Sequence, residues 1–357
     1  MNSPDAPVSF IPYVQYAELI AQVGFFSSSF FCFVLIYLTL FGVKRSFGSY
    51  KYLLVIFPVC GIVFATLEII LYPNAYSHNA GYIFYSTRRP FNCSKDMVIW
   101  ALAFYSGVYS STISNIAVQV QFLYRYWAIF DETKLRFFKG WKFSFCMLYS
   151  VSFGVQWSVL SYHLDKLDDY SINYFDMELR QRYSIYFSDI AGMALVAYGA
   201  DGEIRWRNVS CTINMTSIML VQYALIIYCA VRMYLEMEAK VQMLSPSMRN
   251  LHKQFFQTLV LQIVVPTVSL FLPVTMLIYL PLFDLELDLP TGIPILTLTF
   301  YPAMDAIIVM YVVKDYRKAM KSFLKKGVDG FNAWINSPDS DGGTQTTPAP
   351  NPGAPVN

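Results

Sequence analysis

Charge is scarce in this chain. Only 14% of its 357 residues are Asp, Glu, Lys or Arg, where soluble globular domains carry roughly 25%. That shortfall, beside 55% hydrophobic residues, excludes a disordered chain and argues against a soluble enzyme. Histidine is nearly absent: His78, His163 and His252 fall in separate places. No HExxH, GxSxG, P-loop or GxGxxG pattern occurs, so no enzyme activity, metal or cofactor is expected. The six cysteines form no CxxC or other metal-type spacing. A net charge of +2 creates no field that would recruit nucleic acid. No basic stretch precedes the first apolar run, so a cleaved signal peptide is not expected.

Apolar length is abundant. A bilayer core needs about 20 mostly apolar residues per helix, and seven stretches qualify, near 17–41, 51–73, 97–123, 143–163, 209–231, 254–281 and 290–313. The expected fold is all-α, a polytopic seven-transmembrane helix bundle over 17–313, with an outer N-terminal segment 1–16. The Lys/Arg bias sets the orientation. With the N-terminus outside, the inner segments and the edge residue Lys51 hold 18 of the 26 basic residues. Asn-x-Ser/Thr sequons agree: Asn92 and Asn208 fall in expected outer loops and are candidate glycosylation sites, whereas Asn214 lies too close to the membrane.

After the seventh span, KDYRKAMKSFLKK places Ala319, Met320, Phe323 and Leu324 on one helical face with Lys and Arg on the other. This pattern predicts an amphipathic helix over 314–326 lying against inner-leaflet lipid. The Pro/Gly/Ser/Thr-rich tail 327–357 is expected to be largely disordered and cytoplasmic.

Two acidic residues fall inside the spans, Glu68 in the second and Asp305 in the seventh. Intramembrane ionisable groups face a bundle interior and mark functional positions. For Glu68, a polar anchor in an outward-facing pocket and a carboxyl tying span two to its neighbour remain equal readings. Asp305 lies deeper and reads as a polar hub that repacks when a helix moves. Pro266 and Pro273 in span six and Pro302 in span seven interrupt helical hydrogen bonding and are candidate hinges, although membrane helices also tolerate static kinks. Arg125, flanked by Tyr124 and Tyr126 at the inner end of span three, reads either as an interfacial anchor or as a contact for a cytosolic partner. The outer halves of the spans offer Trp100, Tyr105, Tyr109, Asn214, Met276, Tyr279 and Thr297, an aromatic set suited to a small, weakly polar ligand. Cys93 and Cys211 are positioned for an outer disulfide.

Several ordered segments carry a resemblance: FGSYKYLLVIF opening span two, EIILYP closing it, QFLYRYWAIF ending span three, FFKGWKFSF before span four, SPSMRNLHKQFFQTLVLQIVVPTVSLFLPV in span six and YPAMDAIIVMYVVKDYRKAM closing span seven. With these, the chain from about 24 to 324 resembles the nematode seven-transmembrane serpentine chemoreceptors of the Str-type branch. The resemblance implies an olfactory-type receptor of chemosensory neurons, placed in the plasma membrane of the sensory cilium, that detects a small external chemical and activates a heterotrimeric G protein. It sets Arg125 where better-known G-protein-coupled receptors carry an Asp-Arg-Tyr triplet, and so toward the G protein. It sets Asp305 in a family Asp-Pro pair, from which Ala306 departs.

The runner-up reading is a seven-span ligand-gated odorant channel with its N-terminus inside, which the basic-residue bias and the sequons oppose. An orphan transporter is the third; the chain shows no internal repeat and no charged intramembrane pathway.

Overall fold

The computed structural model describes residues 9–43, 50–111, 121–242, 245–268, 272–285 and 288–335. Its helices are α1 (Ile11–Tyr37), α2 (Tyr50–Leu71), α3 (Lys95–Tyr109), α4 (Gln121–Phe130), α5 (Phe143–Leu164), α6 (Asp169–Glu178), α7 (Trp206–Val241), α8 (Pro246–Pro266), α9 (Leu272–Tyr279), α10 (Gly292–Leu296), α11 (Tyr301–Val312) and α12 (Lys314–Ile335). Five segments of the described residues are long and apolar enough to cross a membrane: Ile11–Gly42, Lys51–Leu71, Gly140–Leu164, Trp206–Glu236 and Gly292–Val312. The described residues of the other two spans of the seven-helix membrane bundle are α3 and α4 in span three and α8 and α9 in span six; residues 269–271, between α8 and α9, lie outside the described residues. Residues 112–120, within span three, lie outside the described residues.

The bundle forms because these helices are apolar nearly all round, so their outer faces suit lipid. Phe26, Phe30 and Phe33 of α1 and Leu220, Ile227 and Leu235 of α7 are exposed. Inside, α1 packs on α2 and α11, α3 on α5, α4 on α7, and α8 on α11. Small residues permit the closest crossing. A Cβ on Gly107 of α3 would lie 1.8 Å from Ser158 Oγ and 2.4 Å from the Gly154 carbonyl of α5. In lipid, helices associate through such close backbone approach rather than through a hydrophobic driving force.

One end of the bundle carries a feature beyond the helical expectation. Strands β1 (Asn74–His78), β2 (Gly81–Ser86), β3 (Ala191–Val196) and β4 (Asp288–Leu289) form an antiparallel sheet in the order β3-β2-β1-β4. β1 and β2 make a hairpin, and β3 pairs with all six residues of β2. The loop 164–208 is therefore folded: α6 and β3 lie within it, and Phe10, Tyr76, Ile83, Tyr85, Phe175 and Tyr183 share a buried cluster under this cap. Polar ties hold its rim. Asp168 Oδ1 caps α6 by accepting from the Ser171 amide at 2.9 Å, and Arg205 pairs with Asp168. Arg182 Nε donates to Glu178 at 2.7 Å and Arg182 also pairs with Asp288, which accepts from His78. His78, Glu178 and Asp288 lie close enough for a metal ion, but the Arg182 guanidinium already supplies positive charge between the two carboxylates.

At the opposite end, Leu35, Leu53, Tyr124, Phe138, Phe255, Val309 and Tyr316 form a second core. Ala319 and Met320 of α12 pack against it, while Phe323 and Leu324 stay exposed. α12 runs to Ile335, past the expected boundary at 326 and into the stretch expected to be disordered. Residues 336–357 lie outside the described residues.

Candidate functional site

A cavity of about 110 Å³ lies between the sheet and the helices. Tyr82 and Phe84 of β2 and Met193 of β3 form its roof; Tyr105, Ser106 and Tyr109 come from α3, and Trp157 and Ser161 from α5, with Asp165 just past its end. Met215, Ile278, Ile295 and Leu298 complete the apolar side. The roof residues alternate along β2, with Ile83 and Tyr85 turned into the cap cluster, as the two-residue period of a strand requires. A cavity of roughly 150 Å³ holds benzene, so this one suits a ligand of similar or smaller size.

Two buried polar atoms on the cavity-lining residues have no hydrogen-bond partner among the described residues: Asp165 Oδ1 and Trp157 Nε1. Their residues are 3% and 5% exposed. Asp165 is held by its backbone, since its amide donates to the Ser161 carbonyl at 3.1 Å and its carbonyl accepts from Ala194 of β3 at 2.9 Å. The carboxylate thus sits where span four meets the sheet.

Glu68 is fully buried behind the wall. Tyr105 Oη donates to Glu68 Oε2 at 2.7 Å, and Thr299 Oγ1 donates to Oε1. Glu68 therefore ties span two to spans three and seven, as one of its two sequence readings expects, and stands behind Tyr105 rather than in the cavity lining that the other reading expects. Of the other expected pocket residues, Tyr105 and Tyr109 line this cavity and five do not. Trp100 is 42% exposed and stacks on Tyr162 with ring centroids 3.7 Å apart. Asn214 accepts from Gln156, Tyr279 pairs with Thr216, Met276 faces outward, and Thr297 Oγ1 donates to the Pro294 carbonyl at 2.7 Å. In helices apolar on every side, sequence sets depth in the membrane but not which face turns inward. Asp165 and the roof residues lie between the expected spans, where no secondary structure is expected from the sequence, and Trp157 lies on span four, whose inward face the apolar pattern does not mark. The available signals were a carboxylate directly after an apolar helix and, separately, the apolar run AGMALV at 191–196.

Two further expectations need correction. Asn208 is 1% exposed, and its Nδ2 donates to the Leu164 and Ala194 carbonyls at 3.0 and 3.2 Å; it has no room for a glycan. Asn92 is exposed on a short turn. Cys93 and Cys211 are free thiols. Cys211 is turned toward α5, its Sγ donating to Ser161 Oγ at 3.8 Å, whereas Cys93 packs beside the central core at the start of α3.

The switch candidates lie on spans three, six and seven. Pro266 is the last residue of α8, and Pro273 lies in the first turn of α9, which begins at Leu272. Pro302 does not kink a continuous helix. It occupies the first turn of α11, after a short 3-10 turn over Thr297–Phe300, where a missing N–H is tolerated. Asp305 is buried, and Gln262 Nε2 of α8 donates to its Oδ1. Further along, Tyr124 and Arg125 are buried, and the Arg125 guanidinium lies 3.7 Å from the centre of the Phe255 ring on α8. Tyr126 packs against Phe130 and Tyr228. Spans three, six and seven are thus joined at two levels.

Comparison with known proteins agrees with this architecture. The family described as serpentine type 7TM GPCR chemoreceptor Str matches residues 17–321. G-protein coupled receptor str-33 of Caenorhabditis elegans is 35% identical, covering 85% of this chain and 89% of its own. Serpentine receptor class r-10 of the same organism is 27% identical over 84% and 89%. Squid rhodopsin superposes with a TM-score of 0.55 at 9% identity, over 95% of this chain and 93% of its own.

Proposed function

Since the chain belongs to the Str family of serpentine seven-transmembrane chemoreceptors, we propose that it detects a small external molecule in the cavity beneath its sheet and activates a heterotrimeric G protein at the opposite end of the bundle. In this reading the N-terminus, the sheet and Asn92 face outside at the plasma membrane of a sensory cilium, and the basic segments and α12 face the cytosol. The basic-residue bias supports that orientation.

The observation that carries the reading is the polar connection from the cavity wall to spans six and seven. Tyr105 lines the cavity and holds Glu68, which Thr299 also holds. Six residues beyond Thr299, Asp305 holds Gln262 of α8, one turn before Pro266. A ligand that favours a second arrangement of these helices shifts the population toward it. Moving α8 outward separates Phe255 from Arg125 and opens the inner end, where the G protein docks.

Arg125→Ala is expected to abolish G-protein signalling at unchanged surface level. Normal signalling by that variant, at matched surface level, would remove the coupling role from Arg125.

A further inference from the structure

We propose that the cavity is a small-amine site, in which a ligand ammonium pairs with Asp165 while its apolar body packs against the surrounding aromatic rings. The proposal rests on the reading of this cavity as the ligand site and names the ligand class.

Asp165 is the deciding group. Its Oδ1 is buried with no hydrogen-bond partner among the described residues, and although the Cys211 thiol, the Asn208 amide and the Arg207 charge lie near the carboxyl, burial outweighs them. Arg207 is the nearby cation, but its Nη2 donates to the His163 and Lys166 carbonyls, both at 3.1 Å, and its Nη1 lies 3.8 Å from Asp168. A buried carboxylate without a paired cation is costly, whereas a cation with N–H donors removes most of that cost. Burial pushes the Asp165 carboxyl up to about 7, so an arriving ammonium draws it into the charged form.

The remaining walls fit the rest of such a molecule. Tyr82, Phe84, Tyr105, Tyr109 and Trp157 bring five aromatic rings to one small cavity. Aromatic faces attract ammonium groups, by as much as 2 kcal/mol or more when desolvated. Trp157 Nε1 is a donor without a partner, but a neutral indole N–H left bare costs far less than a carboxylate. Asp165 therefore sets the head group and Trp157 contributes its ring. The volume limits the body to a few carbons, as in isoamylamine.

The test is thermal stabilisation of the purified full-length chain by isoamylamine, with isoamyl alcohol and isovaleraldehyde as matched neutral probes. Half-saturation by the amine is expected at a concentration at least about ten-fold below either neutral probe. Asp165→Asn should erase that margin, and Tyr82→Leu, which keeps the carboxylate but removes a ring, should narrow it. An amine no better than the alcohol or aldehyde on the unmodified chain overturns the proposal, and that comparison needs no variant to fold. A margin that survives Asp165→Asn overturns it as well. The readout involves no G protein, so the two readings fail separately. Amine binding without nucleotide exchange on a G protein would refute the coupling and leave the site standing. Exchange driven by neutral odorants alone would do the reverse.

Discussion

Replacing Gln262 with Leu should raise the receptor's activity in the absence of any ligand. Gln262 Nε2 donates to Asp305 Oδ1 across the interface of spans six and seven, and both residues are buried. A hydrogen bond to a charged group contributes about 1.5–3 kcal/mol, and a neutral one about 1 kcal/mol. If this bond exists only in the closed arrangement, its loss at about 1.5 kcal/mol moves the two-state equilibrium roughly ten-fold toward the open one. A basal active fraction of about 1% would become about 10%. Asp305→Asn retains a side chain that can accept from Gln262, and should give a smaller rise. The assay is basal G-protein reporter output at matched surface expression, with both variants beside the unmodified chain. Unchanged basal output from a well-expressed Gln262→Leu variant would show that the bond persists through activation, or that the helices do not separate there. Span six would then lose its place as the moving element.

Other consequences follow from single positions. Asn92→Gln should remove one glycan-sized step on a gel, while Asn208→Gln should leave glycan mobility unchanged yet lower expression, because it disturbs hydrogen bonds to the Leu164 and Ala194 carbonyls. Gly107→Val should prevent surface delivery, since even a Cβ there would overlap Ser158 Oγ and the Gly154 carbonyl; overpacking of this kind costs about 1–3 kcal/mol or more. The cap should loosen in acid. Burial works to raise the Asp288 carboxyl, but the hydrogen bond and charge of His78, the Arg182 guanidinium and the Tyr76 hydroxyl together hold it below the usual carboxylate range. A carboxylate depressed in the fold stabilises it above its unfolded value, about 3.9, and that contribution disappears as pH falls through the folded value. Hydrogen exchange in β1 and β4 should therefore quicken below about pH 4, and Asp288→Asn should show the faster exchange already at neutral pH.

Much of the architecture was readable because lipid imposes one severe rule. Backbone groups in hydrocarbon must be satisfied within the helix, so long apolar runs such as 51–73 and 143–163 had few alternatives, and α2 and α5 formed close to those bounds. Depth was readable too: Glu68 and Asp305 are buried where intramembrane carboxyls belong. Rotation about each helix axis was not. Trp100 and Tyr105 lie five residues apart on α3, yet one faces outward and the other lines the cavity. The sheet was hidden for another reason. β3, AGMALV, is buried along its whole length and shows no alternation, so its two-residue period left no trace. GYIFYS after an Asn-Ala turn was the more readable strand, and its register delivers Tyr82 and Phe84 to the cavity. Asp165 acquires meaning only once β3 folds back over the end of α5.

The orientation of the bundle decides whether the cavity can meet an external chemical at all. An epitope tag placed ahead of Met1, stained on intact and on permeabilised cells, reads it directly. Staining of intact cells is the predicted result; it sets the sheet and its cavity outside and Arg125 in the cytosol. Staining only after permeabilisation, with surface delivery shown by an independent label, would invert the molecule, put the cavity on the cytosolic side and contradict the account of an externally gated G-protein activator.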